Sequence, residues 1–432
     1  MQKKNFVKTQ ELKIVMVPTG ELKPADYNPR SWDASAIEQL TQSIKTFGLI
    51  DPIICNGAPN RKNVVIGGHF RLFIAGKLGM TTVPVLYLNL PSLEKEKELN
   101  LRLNRNLGSW DFEKLMQEFD VESLLDIGFD GQDLSAAWDS MLQTEDDNFN
   151  AEEEIKKIKQ PKTKPGQMFA LGDSFLLCGD ATNGNDVKRL VGKNTIDLIL
   201  NDPPFNLALS YEKGLGGHKD YGGTLTDDSK SEEDYKNFLK ASLKNALAVA
   251  KPDCHCFYYI DQNSIGLMQQ IYKECGLIPK RVCLWIKGPH NPTPLVGFNK
   301  SYEPAVYGTR GRPYLSPTLL NLNEIMNREV SSGNRAIDDL MDLLDLWLVR
   351  RLPGNEYIHP AEKPASLHDR AIRRCTKVGD NILDTFAGSA STMASALQLK
   401  RRIFLLEHQP IFCDLILMRY ERLTNEKPKL IS

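Results

Sequence analysis

Asp202-Pro203-Pro204-Phe205 places a carboxylate, two stiffened carbonyls and an aromatic face directly after the apolar run Ile196-Asp197-Leu198-Ile199-Leu200. That run reads as a buried strand, so the four groups stand together at a strand end. The set suits a flat heterocycle held through an exocyclic amino group: acceptors for two N–H donors and a ring to stack on. A proline turn after a strand is the plainer reading, and a second motif decides between them.

The second motif lies about 180 residues downstream. Asn381 to Asp384 reads as another short strand and runs into Thr385-Phe386-Ala387-Gly388-Ser389-Ala390-Ser391-Thr392. Ser391 to Leu399 then has helical spacing, with Met393, Ala394 and Leu397 on one side. A strand, a small-residue turn and a helix N-terminus form a cradle for an anion or cofactor. The dinucleotide pattern G-x-G-x-x-G is absent, which disfavours a nicotinamide enzyme. A third strand, Arg402 to Glu407, ends in an acid 19 residues after Gly388. Its place suits ribose hydroxyls. In this order the features point to a nucleoside-containing cofactor.

About residues 165–425 resemble an amino-methylating DNA methyltransferase that uses S-adenosylmethionine. Asp202 to Phe205 resembles the catalytic (D/N/S)-P-P-(Y/F) motif, and Asp384 to Thr392 the D-x-F-x-G-S-G-(T/S)-T cofactor loop. His359-Pro360-Ala361-Glu362-Lys363-Pro364 resembles the H-P-x-x-K-P motif, and Gly179-Asp180-Ala181 the motif that touches adenine. The catalytic motif precedes the cofactor loop, the order of the β class. The resemblance implies a Rossmann-like α/β fold with a mixed, mainly parallel seven-stranded sheet. It implies catalytic roles for Asp202, Pro203, Pro204 and Phe205. It implies cofactor contacts at Asp180, Ala181, Lys363, Pro364, Asp384, Phe386, Gly388, Ser389, Ser391, Thr392 and Glu407. Aspartate at the first catalytic position favours N6 of a flipped adenine in double-stranded DNA; cytosine N4 is the alternative. Ala390 departs from the pattern, replacing a Gly where the backbone needs positive φ.

Ahead of this half, residues 1–110 form a compact α/β pattern that resembles a ParB/sulfiredoxin-like domain. Gly67, Gly68, His69 and Arg71 match its G-(E/G)-(R/H)-x-R motif, which implies a nucleoside triphosphate seated on helix amides and an Arg. A structural or partner-docking module is the other reading. Residues 111–141 read as an acidic helical extension, 142–165 as a charged linker, and 166–432 as the methyltransferase domain. From Trp110 to Asp147 there are 12 acids and one base, Lys114, a surface that repels phosphates. The Gly-rich segment 206–230 suits a loop that closes over a flipped base. Within about 289–355, Arg310 and Arg312 are candidates for DNA contact, and Ala336 to Leu348 reads as an acidic helix.

Charge divides unevenly along the chain. Residues 1–160 carry 19 Lys/Arg and 24 Asp/Glu; the remainder carries 35 and 31, a small basic surplus on the half expected to meet DNA. The 8 cysteines include no C-x-x-C, and Cys254-His255-Cys256 lies in a strand pattern that fits a core position better than a zinc site, so no metal is expected. No run of apolar residues reaches membrane-spanning length and the first ten residues lack an apolar signal core, so a cytoplasmic setting in a prokaryotic or phage-infected cell is expected. By resemblance the two-module arrangement suits a phage or mobile element, with restriction–modification as one setting. A homodimer is left open. The competing non-enzyme reading is a nucleotide-controlled ParB-like DNA-binding or partition factor with a non-catalytic methyltransferase half.

Overall fold

The computed structural model describes residues 13–32, 34–104, 109–139, 141–147, 149–206, 230–287, 301–316, 344–349 and 363–432. The chain divides into two compact units, Met1–Asp130 and Gly131–Ser432. In the first, β1 (Ile14–Pro18), β3 (Ile53–Asn56), β4 (Val65–Gly67) and β5 (Thr82–Leu88) form a sheet in the order β1-β5-β3-β4; the two-residue strands β2 (Arg30–Ser31) and β6 (Ser109–Trp110) pair separately. Val17, Ile53, Val65, Leu72 and Val85 make the core under α1 (Ala34–Phe47) and α2 (His69–Lys77). Gly68 adopts φ 92° as the residue before α2, a backbone that the glycine in the motif permits without strain.

The second unit is built on a ten-stranded mixed sheet rather than the expected seven. Its strands are β7 (Met168–Leu171), β8 (Ser174–Cys178), β9 (Ile196–Asn201), β10 (Ala250–Tyr259), β11 (Ile278–Ile286), β12 (Tyr302–Arg310), β13 (Leu346–Leu348), β14 (Asn381–Asp384), β15 (Arg402–Glu407) and β16 (Lys429–Leu430). They run β13-β11-β12-β10-β9-β14-β15-β8-β7-β16. The short strands β13 and β16 and the antiparallel β7 widen the seven-strand plan at its edges. Strands β10, β9, β14, β15 and β8 are parallel neighbours. Both faces of these strands are covered, which is why β9, β14 and β15 read as near-continuous apolar runs. Leu346-Trp347-Leu348, expected to end a helix, is instead an edge strand: Trp347 is buried against Phe257 and Tyr259, and that packing overrides local helix preference. No described helix is long and apolar enough to cross a membrane.

Candidate active site

Because β9, β14, β15 and β8 are parallel and adjacent, their carboxyl ends bring Asp202, Asp384, Glu407 and Asp180 to one edge of the sheet. This is the switch region where open α/β sheets hold ligands. The first two loops are directly joined: Asn201 Oδ1 accepts the Thr385 N–H at 2.8 Å. The next two are joined as well, since Glu407 lies opposite Cys178 and its carbonyl accepts the Gly179 N–H at 2.9 Å. The motifs that are far apart in sequence therefore open on one crevice.

Asp202 heads a buried row of alternating charges. Its Oδ2 is ion-paired with the Lys363 ammonium, Lys363 lies 3.5 Å from Glu303 Oε2, and Glu303 in turn pairs with Lys287. Burial disfavours the Lys363 ammonium, but the Asp202 and Glu303 carboxylates outweigh that and raise its pKa. Burial likewise opposes the Glu303 carboxylate, and Lys363 and Lys287 together hold its pKa below the ordinary value. For Asp202 burial prevails over Lys363 and the carboxyl sits above its usual range. Its second oxygen, Oδ1, is buried with no hydrogen-bond partner among the described residues. An acceptor left in this state needs a donor, since an unmet buried acceptor costs about 1–3 kcal/mol. The Pro204 carbonyl is taken by the Tyr235 hydroxyl at 2.9 Å, so the carbonyl next to Asp202 that remains available belongs to Pro203. Lys363 Nζ lies 5.5 Å from the Phe205 ring centre and 4.6 Å from that of Tyr259.

The other side of the crevice follows from β14. Asp384 is buried, and its Oδ1 accepts the Phe386 N–H at 3.0 Å. Burial pushes its carboxyl up to about 7, against the pull of the Phe386 N–H and the Thr392 hydroxyl and with help from the nearby Asp202 and Glu407 charges. Glu407 accepts Gly388 N–H and Gln409 N–H at 2.9 and 2.8 Å, and burial raises its pKa too. Thr385 Oγ1 is buried with no described partner. Raised carboxyls and an unmet hydroxyl are a donor set that fits a cationic, hydroxyl-bearing ligand. At the start of α3 (Ser391–Gln398), Ser391 Oγ lies 3.0 Å from His368 Nε2, and burial drives His368 down to about 3, so it is neutral. Phe386 turns onto Phe238, at a ring distance of 5.7 Å, and Asp180 Oδ1 accepts both the N–H and the hydroxyl of Thr182.

Ala390 does take the left-handed conformation expected of the missing glycine, φ 59°, with its methyl fully buried. That backbone costs about 1–2 kcal/mol. Burying a methyl returns roughly 0.8 kcal/mol. The substitution is therefore nearly balanced, and the turn keeps its shape.

Asp384 makes a pH prediction. Its folded pKa of about 7 exceeds its ordinary 3.8, so the folded state holds the extra proton between those values and stability falls as pH rises from about 4 to about 7. Asp384→Asn removes that penalty. The variant should be more stable than the parent at pH 8 by on the order of 1–4 kcal/mol and show no gain at pH 4, measured by denaturant unfolding. Equal gains at both pH values would show that ionisation is not the cause.

Other expectations fare differently. Arg310 turns its guanidinium onto the carbonyls of Leu247, Ala250, Lys251 and Pro252, which commits it to the fold rather than to DNA. His255 lies between Tyr307 and the Tyr314 carbonyl, and Cys254 and Cys256 are buried, so this trio is core; no metal-binding group occurs among the described residues. His359 to Glu362, residues 207–229 and most of 289–355 lie outside the described residues. In the first unit His69 Nε2 accepts the Ala25 N–H, its pKa is pushed down to about 4 by burial, and Arg71 pairs with Asp51. Sequence reasoning missed Glu303, Tyr259 and His368. Glu303 and Tyr259 come from neighbouring strands and have no local motif.

A DNA methylase family model of the N6/N4 type matches residues 196–418. A ParB N-terminal domain model matches residues 1–107. The chain is 26% identical over 224 residues to the Type II methyltransferase M.HpaI of Haemophilus parainfluenzae, covering 51% of this chain and 65% of that protein. It is 21% identical over 255 residues to the Type II methyltransferase M.BglII of Bacillus subtilis, covering 54% and 66%. It thus spans slightly less than two thirds of the length of either. Its N-terminal part is 37% identical over 81 residues to the ParB-like nuclease domain-containing protein YnaK of Escherichia coli, covering 19% of this chain and 88% of that protein.

Proposed function

Because the chain belongs to the N6/N4 DNA methylase family and carries a ParB N-terminal domain before it, we propose that it methylates the exocyclic N6 of adenine in double-stranded DNA with S-adenosylmethionine. The observation that carries this is the buried, unpartnered Oδ1 of Asp202 at the same sheet edge as Asp384 and Glu407. When bound, S-adenosylmethionine supplies an electrophilic methyl carbon.

The protein's residues do the rest. An exocyclic nitrogen is a poor nucleophile because its lone pair is delocalised into the ring. Asp202 Oδ1 accepts one N–H and the Pro203 carbonyl the other, which returns density to nitrogen and stabilises the charge that grows there. Phe205 stacks on the base, a contact that contributes about 1–3 kcal/mol. The base reaches the crevice only by leaving the duplex stack. Asp384 and Glu407 would hold the donor, their carboxylates suiting its cationic and ribose hydroxyl groups, together with the loop Phe386 to Thr392, Asp180 and Ala181. Lys363, grouped by sequence with the cofactor residues, acts on Asp202 instead. Asp384→Asn, more stable without ligand at high pH, should also bind the donor more weakly.

Aspartate before Pro203-Pro204 favours adenine, by resemblance; cytosine N4 is the second reading. The test is to incubate the protein and duplex DNA with methyl-labelled S-adenosylmethionine and digest the product to nucleosides. Label in N6-methyl-2′-deoxyadenosine is expected; label in N4-methyl-2′-deoxycytidine would replace adenine by cytosine, and no label would remove the enzyme reading. For the first unit, a nucleoside triphosphate at Gly67, Gly68, His69 and Arg71 remains the proposal that the motif supports, with Arg71 exchanging Asp51 for phosphate. Calorimetry with CTP and ATP should show binding lost in Arg71→Ala; unchanged binding would move the site elsewhere.

A further inference from the structure

The stretch expected to be a charged linker does not run free. It belongs to the second unit and is tied down along its length. Asp139 pairs with the buried Arg401 at 2.7 Å, and Arg373 donates to the carbonyls of Asp139 and Leu142. Phe149 is buried against Leu415, with the Arg419 guanidinium 5.2 Å from its ring centre. Farther on, Asp414 accepts the N–H groups of Lys162 and Thr163.

Three consecutive residues in this stretch bond to the methylase unit, and two of them do so through their carboxylates. The backbone N–H and C=O of Glu145 exchange two hydrogen bonds, at 2.8 and 3.0 Å, with the side-chain amide of Gln398, the last residue of α3. Asp146 accepts both the N–H and the hydroxyl of Ser366, three residues after Lys363, at 3.0 and 3.1 Å. Asp147 takes a two-pronged contact from Arg419, at 2.7 and 2.8 Å, and Arg419 donates its remaining nitrogen to the Ser389 carbonyl at 2.7 Å. Arg419 is 3% exposed, so this relay is shielded from water. Ser389 lies between Gly388 and Ala390, the two positions of the loop with positive φ. A turn held in that conformation needs an external anchor on its carbonyl, and Arg419 is that anchor.

We infer that Asp146-Asp147 is a positioning element for the cofactor cradle: Asp147, acting through Arg419, fixes the Ser389 turn, and Asp146 fixes the turn that carries Lys363. The inference rests on the reading of the crevice as an S-adenosylmethionine site. It assigns a task to two acids of a stretch that sequence reads as a phosphate-repelling surface suited to packing or protein contact. The Asp146 and Asp147 carboxylates are spent on Ser366 and Arg419 of the same unit.

The test uses the full-length chain with Asp147→Asn, and Asp147→Glu as the conservative partner. Asp147→Asn should raise the Kd and the KM for S-adenosylmethionine about three- to tenfold while leaving kcat at saturating cofactor close to the parent's. Asp147→Glu should recover most of the loss. Hydrogen–deuterium exchange should speed up at residues 388–394 and stay unchanged in β10, which reads the anchor without any ligand. Unchanged affinity together with unchanged exchange in Asp147→Asn overturns the inference, as does a loss of protection spread over the whole unit. If the parent binds no S-adenosylmethionine, the cofactor reading fails, and the exchange measurement still decides whether the anchor exists.

Discussion

Asp202→Ala should lower methyl transfer at least a hundredfold to a thousandfold while cofactor binding stays near the parent value. The size follows from removing a preorganised acceptor from a water-poor site, an effect of about 10²–10³ in rate for single groups of this kind. The location of the effect follows from geometry. Oδ2 is committed to Lys363, and only Oδ1 remains for the base. Asp384 and Glu407 hold their own backbone partners and do not depend on Asp202. Asp202→Asn is the sharper companion, because it keeps shape and replaces one acceptor by a donor; calorimetry for the cofactor and a labelled-methyl assay read the two sides. Near-parent transfer by either variant would remove Asp202 from the chemistry. The acid limb adds a check: burial raises the Asp202 carboxyl, so activity that needs the carboxylate should fall on acidification, and the fall should vanish in Asp202→Asn.

Lys363→Met should be the most destabilising single change in the crevice. Lys363 is 4% exposed and sits between two carboxylates. Removing the ammonium leaves Asp202 without a countercharge and Glu303 with Lys287 alone. Breaking a buried ion pair from one side costs about 3–5 kcal/mol. Denaturant unfolding should report that loss, and transfer should fall with it, since Asp202 then binds its proton more tightly. Adding Asp202→Asn to Lys363→Met removes the acid left without a countercharge and should restore part of the stability but not the activity. If Lys363→Met unfolded at the parent's midpoint, the charge row would contribute nothing to the fold. A variant that kept transfer but lost cofactor affinity would return Lys363 to the cofactor residues, where the H-P-x-x-K-P resemblance placed it.

The strands and motifs of the crevice were legible because they are local. Ile196 to Asn201, Asn381 to Asp384 and Arg402 to Glu407 are runs whose burial on both faces writes itself into composition, and Gly388 with its small neighbours marks a turn. The left-handed Ala390 was legible as well, from a missing glycine. The edge strand at Leu346–Leu348 was not, because three residues next to an acidic run carry too little pattern and only packing of Trp347 makes them a strand.

The acidic stretch before the methylase shows the same limit in charge. The task of its acids waits on their partners, and Arg401 for Asp139 and Arg419 for Asp147 lie more than 250 residues away. Sequence by itself determined the two families and the order of the motifs, since each depends on neighbours along the chain. Tertiary structure alone decided that Lys363 serves Asp202, that Glu303 and Lys287 extend the row, that Arg310 belongs to the fold, and that Asp147 reaches the Ser389 turn. The physical reason is that a charge acquires its meaning from the opposite charge it meets across space, and no period or motif in the chain records that meeting.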